Sequence, residues 1–300
     1  AVHGAPIEER LAADAGHRDT TFNALYYDTA TDEILDPTGH GVEDLRRGVV
    51  RMPHPGGASA SIREDPLRFL RCLRFAARFG FELHEELLAL EDVGLGRMPP
   101  GRALNEVKKG LLLHNRPSRC LELLGASPAE PHRALFGAAP ALCDGWASAT
   151  GRARRLERVV LEGLARGLLS SCSVVWRGRQ AERPKPALLA PDWSKTGLYE
   201  NDWAELLLAA MLWQCDAETA KQLGAQLQLS AAMTENVLTL QAGARQHSIT
   251  PQTAPAGVHI LHAATVSLEA PESFWDRWPG APEHLGAASE RAGERRTAAR

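Results

Sequence analysis

The stretch R63-E-D-P-L-R-F-L-R-C-L-R-F-A-A-R-F-G-F81 decides how this chain is read. Asp65 and Pro66 are helix-opening residues, since a carboxylate caps the first turn and proline brings its φ already set. From Leu67 onward the apolar residues recur at helical spacing. Phe69, Leu70, Leu73, Ala76 and Ala77 fall on one face at 100° per residue, which predicts a core-facing helix over 65–79. Arg71, Arg74 and Arg78 fall together on the opposite side.

The surroundings add charge. Residues 46–78 hold eight arginines (46, 47, 51, 63, 68, 71, 74 and 78) against Glu64 and Asp65, a local excess of +6 in a chain of net charge −3. Arginine suits phosphate because its fork is planar and always charged. The structural alternative is a solvated helix face laced with ion pairs. Asp65 and Arg68 have two readings as well. Arg68, three residues on, can simply pair with Asp65. The functional reading uses complementarity: a carboxylate accepts and a guanidinium donates. Cytosine and adenine both offer an exocyclic amine beside a ring-nitrogen acceptor, whereas uracil and guanine reverse that pattern. One Asp/Arg pair would therefore accept C and A and leave polar groups unpaired against U and G.

Working outward, N23-A-L-Y-Y-D-T-A-T-D-E-I-L-D36 reads as a β-hairpin with strands at 23–28 and 33–36. G41-V-E-D-L-R-R-G48 reads as a short helix closed by Gly48, and 49–53 as a strand. Residues 54–61 (HPGGASAS) read as a linker. Further helices are expected at 84–91, 100–113, 117–124, 152–168, 202–214, 216–227 and 231–245. The three prolines in 169–200 argue for a long loop or insertion, and the last twenty residues for a frayed tail. The strands of 1–57 find no sheet partners in the chain, so this segment is expected to be the least well packed.

Composition excludes several classes. No apolar run is long enough to span a membrane. Cys72, Cys120, Cys143, Cys172 and Cys215 are scattered with no CxxC, which argues against structural zinc and fits a reducing compartment. The start at Ala1, without methionine, suggests a cut end.

Smaller signals line up along the first hundred residues. Arg18, Asp19 and Asn23 in H17-R-D-T-T-F-N-A-L-Y-Y-D28 suit a ribose or phosphate contact, or a strand with a charged edge. D36-P-T-G-H-G41 is a glycine-rich turn, and Gly39 and Gly41 would also suit a hinge. Arg102 and Glu106 in 101–113 stand at i,i+4, as a helix-stabilising pair or a brace for the helix before it.

The order RD-x-x-x-NAL, D-x-x-G-x-G-x-EDL-x-x-G, EDPLR-x-LR-x-x-RFAARFGF and R-x-x-x-E resembles the class II tRNA nucleotidyltransferases. These are the CCA-adding enzymes and their bacterial poly(A) polymerase relatives. The likeness is to the eukaryotic CCA-adding branch in "GHGVEDLRRGVV" and "EDPLRFLRCLRFAARFGFEL", and it covers residues 16–125. It implies an α+β, mostly α, fold: a partial nucleotidyltransferase palm (head, 1–57), a helical neck carrying the template helix (58–125), and a helical body and tail for tRNA (126–300). It also implies residue roles. Arg18, Asp19 and Asn23 would contact the sugar and triphosphate. Asp36, Gly39 and Gly41 would form the flexible head–neck element. Asp65 and Arg68 would be the protein template for CTP and ATP, supported by Glu64 and Arg71. Arg102 and Glu106 would brace the template helix, and Arg74 and Arg78 would take RNA phosphates at the tRNA acceptor end.

Two departures accompany the likeness. His17 stands where the family usually has a first arginine. The Asp-x-Asp carboxylates that would hold Mg²⁺ are expected upstream of residue 16, where Asp14 is solitary. The implied parent reaction adds C, C and A to the tRNA 3′ end, with this chain expected to lack a complete Mg²⁺ site. The alternatives are a non-catalytic RNA-binding derivative and a poly(A) polymerase. Family members occur in cytoplasm, nucleus, mitochondrion or plastid, and the sequence singles out none of these.

Overall fold

The computed structural model describes residues 6–98, 100–112, 116–165, 170–172, 190–192, 202–245 and 256–266. The chain is mostly helical. It divides into two compact units, Ala1–Ala147 with Gln222–Leu229, and Ser148–Lys221 with Ser230–Arg300.

The first unit opens with α1 (Ile7–Gly16) and a 3-10 turn, Thr21–Ala24, whose Thr20 side chain caps the Asn23 amide. The predicted hairpin follows as β1 (Tyr26–Asp28) and β2 (Glu33–Leu35), antiparallel with Tyr26 opposite Leu35. Next come α2 (Gly41–Arg47) and β3 (Val49–Val50). Residues 54–61, read as a linker, instead lead into α3 (Gly57–Glu64). Its buried side, Ala58, Ser61 and Ile62, is too short and too small to show as a hydrophobic period. Then come α4 (Leu67–Phe79) and β4 (Glu82–Leu83). Here the structure corrects the expectation of unpartnered strands: β3 pairs in parallel with β4, Val49 opposite Glu82. The partner lies beyond residue 57, on the far side of two helices, where local pattern does not reach. The unit continues through α5 (Glu85–Leu88), α6 (Pro100–Leu112), α7 (Pro117–Ala126), α8 (Pro131–Phe136) and α9 (Pro140–Asp144).

Helix α4 is the centre of this unit. Pro66 already has helical backbone angles and Gly80, at φ +72°, terminates the helix with its N–H on the Ala76 carbonyl. Leu67, Phe69, Leu70, Cys72, Leu73, Ala76 and Ala77 are all buried. A fully buried leucine or phenylalanine of this kind contributes about 1.5–3 kcal/mol. Helices α6 and α7 pack on α4. On the other flank Phe22 meets Phe75, Phe79 and Phe81 edge-on, with ring centroids 5.8–6.3 Å apart. The Cys72 thiol reaches the Asp19 carbonyl at 3.4 Å. Ala15, Ala24 and Val50 are buried too, so much of 1–57 is packed densely, although Tyr27 and Ile34 of the hairpin stay exposed.

Helix α10 (Trp146–Ala165) starts in the first unit, where Trp146 donates to the Leu121 carbonyl at 2.9 Å, and continues into the second. In the second unit Ser170–Cys172 (β5) pairs antiparallel with Ala190–Asp192 (β6), and the rest of the 169–200 loop lies outside the described residues, as does the expected frayed tail. The helices α11 (Asp202–Met211), α12 (Ala217–Gln226), α13 (Ala231–Ala244) and α14 (Ala256–Thr265) follow, with α12 passing into the first unit from Gln222. Leu156, Leu206, Leu207, Met211, Ile260 and Leu261 form the second unit's core. Arginines close its helix ends: Arg152 donates to the Ala210 and Met211 carbonyls and Arg155 to that of Ala263. Each satisfies acceptors that a helix C-terminus leaves open.

Candidate nucleotide site

Asp65 and Arg68 stand where α3 gives way to α4. Asp65 caps the helix, its Oδ1 accepting the Leu67 amide at 3.1 Å. Arg68 does not pair with Asp65. Its Nη1 donates instead to the Ser61 carbonyl (3.2 Å), the Ser61 hydroxyl (2.9 Å) and Glu64 Oε2 (3.1 Å). Asp65 Oδ2 and the Nε and Nη2 groups of Arg68 take no protein partner among the described residues. An acceptor and a donor group are thus left unspent at one helix mouth. Asp65 lines an open cleft of about 530 Å³ together with Ile62, Arg63, Arg97, Met98 and Arg102; Arg68 lies outside that lining.

Glu64 is the hub of this corner. His54 Nε2 lies 3.0 Å from its Oε1, and His17 Nδ1 3.5 Å from its Oε2. The hydrogen bond from His54, followed by that from Arg68, holds the Glu64 carboxyl below its ordinary value. Ser61 and His54 were missed in the sequence reading. Ser61 could have been found once 57–64 was recognised as a helix, because it lies one turn before Asp65. Nothing local marks His54.

The second group sits under the opposite flank of α4. Asp19 is buried; its Oδ1 accepts from the Thr20 amide (2.9 Å) and Asn23 Nδ2 (3.0 Å). Arg71 Nη2 lies 2.7 Å from Asp19 Oδ2, off the hydrogen-bond line, so this contact is an ion pair. Arg71 therefore ties α4 to the Asp19 segment and, among the described residues, is not one of the hydrogen-bond partners of Asp65 or Arg68. Arg18 points elsewhere, to Asp14 at 2.6 Å, in an exposed pair joined by the Tyr26 hydroxyl. Of the three residues grouped as Arg18, Asp19 and Asn23, the structure brings together Asp19 and Asn23.

Asp36 caps α2. It accepts from the Thr38 hydroxyl (2.8 Å) and the Val42 amide (3.1 Å), while Thr38 Oγ1 accepts from Gly41 N at 3.2 Å. Burial alone would raise the Asp36 pKa, but these hydrogen bonds outweigh it and leave it lowered. Gly39 takes a left-handed φ of +70°. Gly41 is there for closeness: a Cβ would lie 2.7 Å from both the Thr21 carbonyl and Leu25 Cδ2.

The basic surface is smaller than the sequence count. Arg47 pairs with Glu43, Arg51 with Asp44, Arg68 with Glu64, Arg71 with Asp19 and Arg74 with Glu106. Among the described residues Arg46, Arg63 and Arg78 keep no acidic partner. Arg74 is drawn inward: its side chain is 13% exposed, with Nε 3.2 Å from Glu106 Oε2 and its guanidinium over the Phe75 ring. That position fits a brace between α4 and α6 better than a phosphate contact. Arg78 stays exposed over Phe79. Arg102 leaves Glu106 to Arg74 and Lys109 and faces the cleft. Among the described residues no group of three or more His, Cys, Asp or Glu could hold a metal ion.

Residues 3–51 match the family described as the poly A polymerase head domain. The mitochondrial CCA tRNA nucleotidyltransferase of Saccharomyces cerevisiae is 46% identical over 76 residues, 25% of this chain and 14% of that protein. The multifunctional CCA protein of Nitrosomonas europaea is 42% identical over 129 residues, 41% of this chain and 28% of that protein. The chain thus spans well under a third of the length of these curated relatives. Among solved structures, a tRNA nucleotidyltransferase complexed with a primer tRNA and an incoming ATP analog superposes with a TM-score of 0.58 at 19% identity, over 95% of this chain and 74% of that one. The CCA-adding enzyme of Bacillus stearothermophilus in complex with CTP gives 0.55 at 20% identity, over 88% and 57%. At these identities the likeness is one of fold.

Proposed function

We propose that this chain belongs to the class II tRNA nucleotidyltransferase family and selects CTP and ATP for CCA addition to tRNA 3′ ends. The observation that carries this is the unspent Asp65 Oδ2 acceptor and Arg68 donors at the mouth of α4, beside an open cleft. A cytosine or adenine edge supplies the amine that Asp65 would accept and the ring nitrogen that Arg68 would meet. Uracil or guanine would set carbonyl oxygen against carboxylate and N–H against guanidinium, a mismatch of about 1–3 kcal/mol per unpaired group. In this reading Glu64 positions Arg68, Asp19 and Asn23 offer a sugar contact, and the Asp36–Gly41 turn joins head to neck. Arg63, Arg78 and Arg102 supply exposed charge for phosphates of the tRNA acceptor end.

Nucleotidyl transfer would call on a divalent metal, Mg²⁺ in this proposal, held by carboxylates to offset charge on the reacting phosphate. The described residues do not fit that task. Asp14, Asp19 and Asp44 are each engaged by protein partners and do not converge on one point with other ligands. The role derived for these residues is therefore selection and grip.

Equilibrium binding of the four nucleoside triphosphates tests the reading. CTP and ATP are expected to bind about 10-fold or more tighter than UTP and GTP, with the preference abolished in Asp65→Ala and Arg68→Ala. Equal binding of all four overturns it. Binding of ATP alone would assign the chain to A-only addition.

A further inference from the structure

Selection by an arginine needs more than its presence. A guanidinium free to swing would rebuild hydrogen bonds to a wrong base, and the mismatch would cost little. Arg68 is clamped by Ser61 and Glu64, so the question passes to what holds Glu64, whose side chain is 43% exposed and would otherwise sample rotamers in water.

His54 holds it. The ring sits 3.0 Å from Glu64 Oε1 through Nε2, with its side chain 16% exposed. Its other nitrogen, Nδ1, accepts the Gly56 amide N–H at 2.9 Å. An Nδ1 that accepts carries no proton, so the ring proton is on Nε2, directed at Glu64. The backbone around this ring is restricted as well. Pro53 and Pro55 flank His54 and fix φ on both sides, and the His54 carbonyl accepts the Gly57 amide at 2.9 Å. Gly56 has no side chain to hold the ring away; a Cβ there would lie 3.3 Å from His54 Nδ1 and Cε1. His17, 68% exposed and 3.5 Å from Oε2, is a rim contact by comparison.

We propose that His54 is a positioning residue for nucleotide selection: its Nε2–H pins one oxygen of Glu64, leaving the other to fix the Arg68 guanidinium against Ser61. The proposal rests on the reading of Arg68 as a base-reading residue. His54 touches no base in it and acts only through Glu64.

The test pairs nucleotide preference with a signal that needs no nucleotide. In ¹⁵N-labelled full chain, His54 is expected as the Nε2–H tautomer, and the Arg68 guanidinium protons as slowly exchanging. His54→Ala should speed that exchange and reduce the CTP-over-UTP preference roughly 3- to 10-fold, the value of one hydrogen bond, with CTP affinity changing less. His54→Gln, which keeps an N–H donor for Glu64, should restore both. Unchanged preference and exchange in His54→Ala overturns the proposal, as does equal loss in Ala and Gln variants. If the native chain prefers no nucleotide, the function proposed above fails, and the relay is then judged by Arg68 exchange alone: faster in His54→Ala than in His54→Gln supports it, and identical in all three chains sinks it.

Discussion

Arg74 and Arg78 lie one helical turn apart and carry the same group, yet they do different work. Arg74 is covered, paired with Glu106 and laid over Phe75, while Arg78 keeps its charge in solvent over Phe79. What separates them is the carboxylate that α6 delivers. Asp36 makes the same point about local partners. Its carboxylate is held below its ordinary pKa against the opposing effect of burial, by the Thr38 hydroxyl and the Val42 amide. A depressed folded-state pKa means that the unfolded chain binds the proton more tightly. The contribution is therefore full above about pH 4, the unfolded value, and is lost as pH falls through the folded-state value. Asp36→Asn is expected to lower stability near neutrality by about 0.5–1.5 kcal/mol. It should also flatten the acid limb, and urea midpoints at pH 7 and pH 3 check both. Asp36 was legible from its turn sequence; its cap on Val42, six residues away, was not, because the loop's path decides which amide it meets.

At the scale of elements, α4 was read correctly as an amphipathic helix, and five of its seven buried residues follow from period alone, Leu67 and Cys72 being the two that the period did not name. Its neighbours were less legible. Helix α3 is short, rich in serine and alanine and opens on Gly57 directly after Gly56, so propensity and pattern both point to loop until the helix packs on α4. Strand β3 acquires its partner only because α3 and α4 return the chain to bring β4 alongside. The brace between α4 and α6 is a consequence of the same packing. The Arg74 and Glu106 side chains are 13% and 11% exposed, and Glu106 Oε1 also accepts Lys109 at 2.7 Å. Removing the carboxylate leaves a largely covered guanidinium unpaired. Glu106→Ala is expected to destabilise the chain by about 2–3 kcal/mol, and Glu106→Gln, which can still accept, by less; chemical denaturation of the three proteins measures the order.

Over the whole molecule, the first compact unit is not a continuous piece of chain. Residues 222–229 belong with 1–147: Gln226 donates to the Leu135 carbonyl at 3.1 Å and Lys108 to that of Gln228 at 3.4 Å. The head–neck–body division expected at residues 57 and 125 does not coincide with these compact units. A chain cut after 147 loses the returning segment and the contacts it makes. A protein of residues 1–147 is expected to unfold at lower urea concentration than one of residues 1–229, and equal midpoints would show that the returning segment adds nothing to the first unit.

The sequence by itself determined the amphipathic helix α4, the hairpin and the ordered series of motifs with the family they resemble. All of these depend on periods and spacings within a few turns of one another, which local stereochemistry enforces. Only the tertiary structure decided which charges remain available. Of the eight arginines at 46–78, those paired with Asp19, Glu43, Asp44 and Glu106 meet carboxylates from outside that window, so counting the window overstated its field. The positions of Ser61 and His54 around Glu64 and Arg68 were decided the same way. A hydrogen bond forms between groups the fold brings within about 3 Å, and separation along the chain says little about that distance.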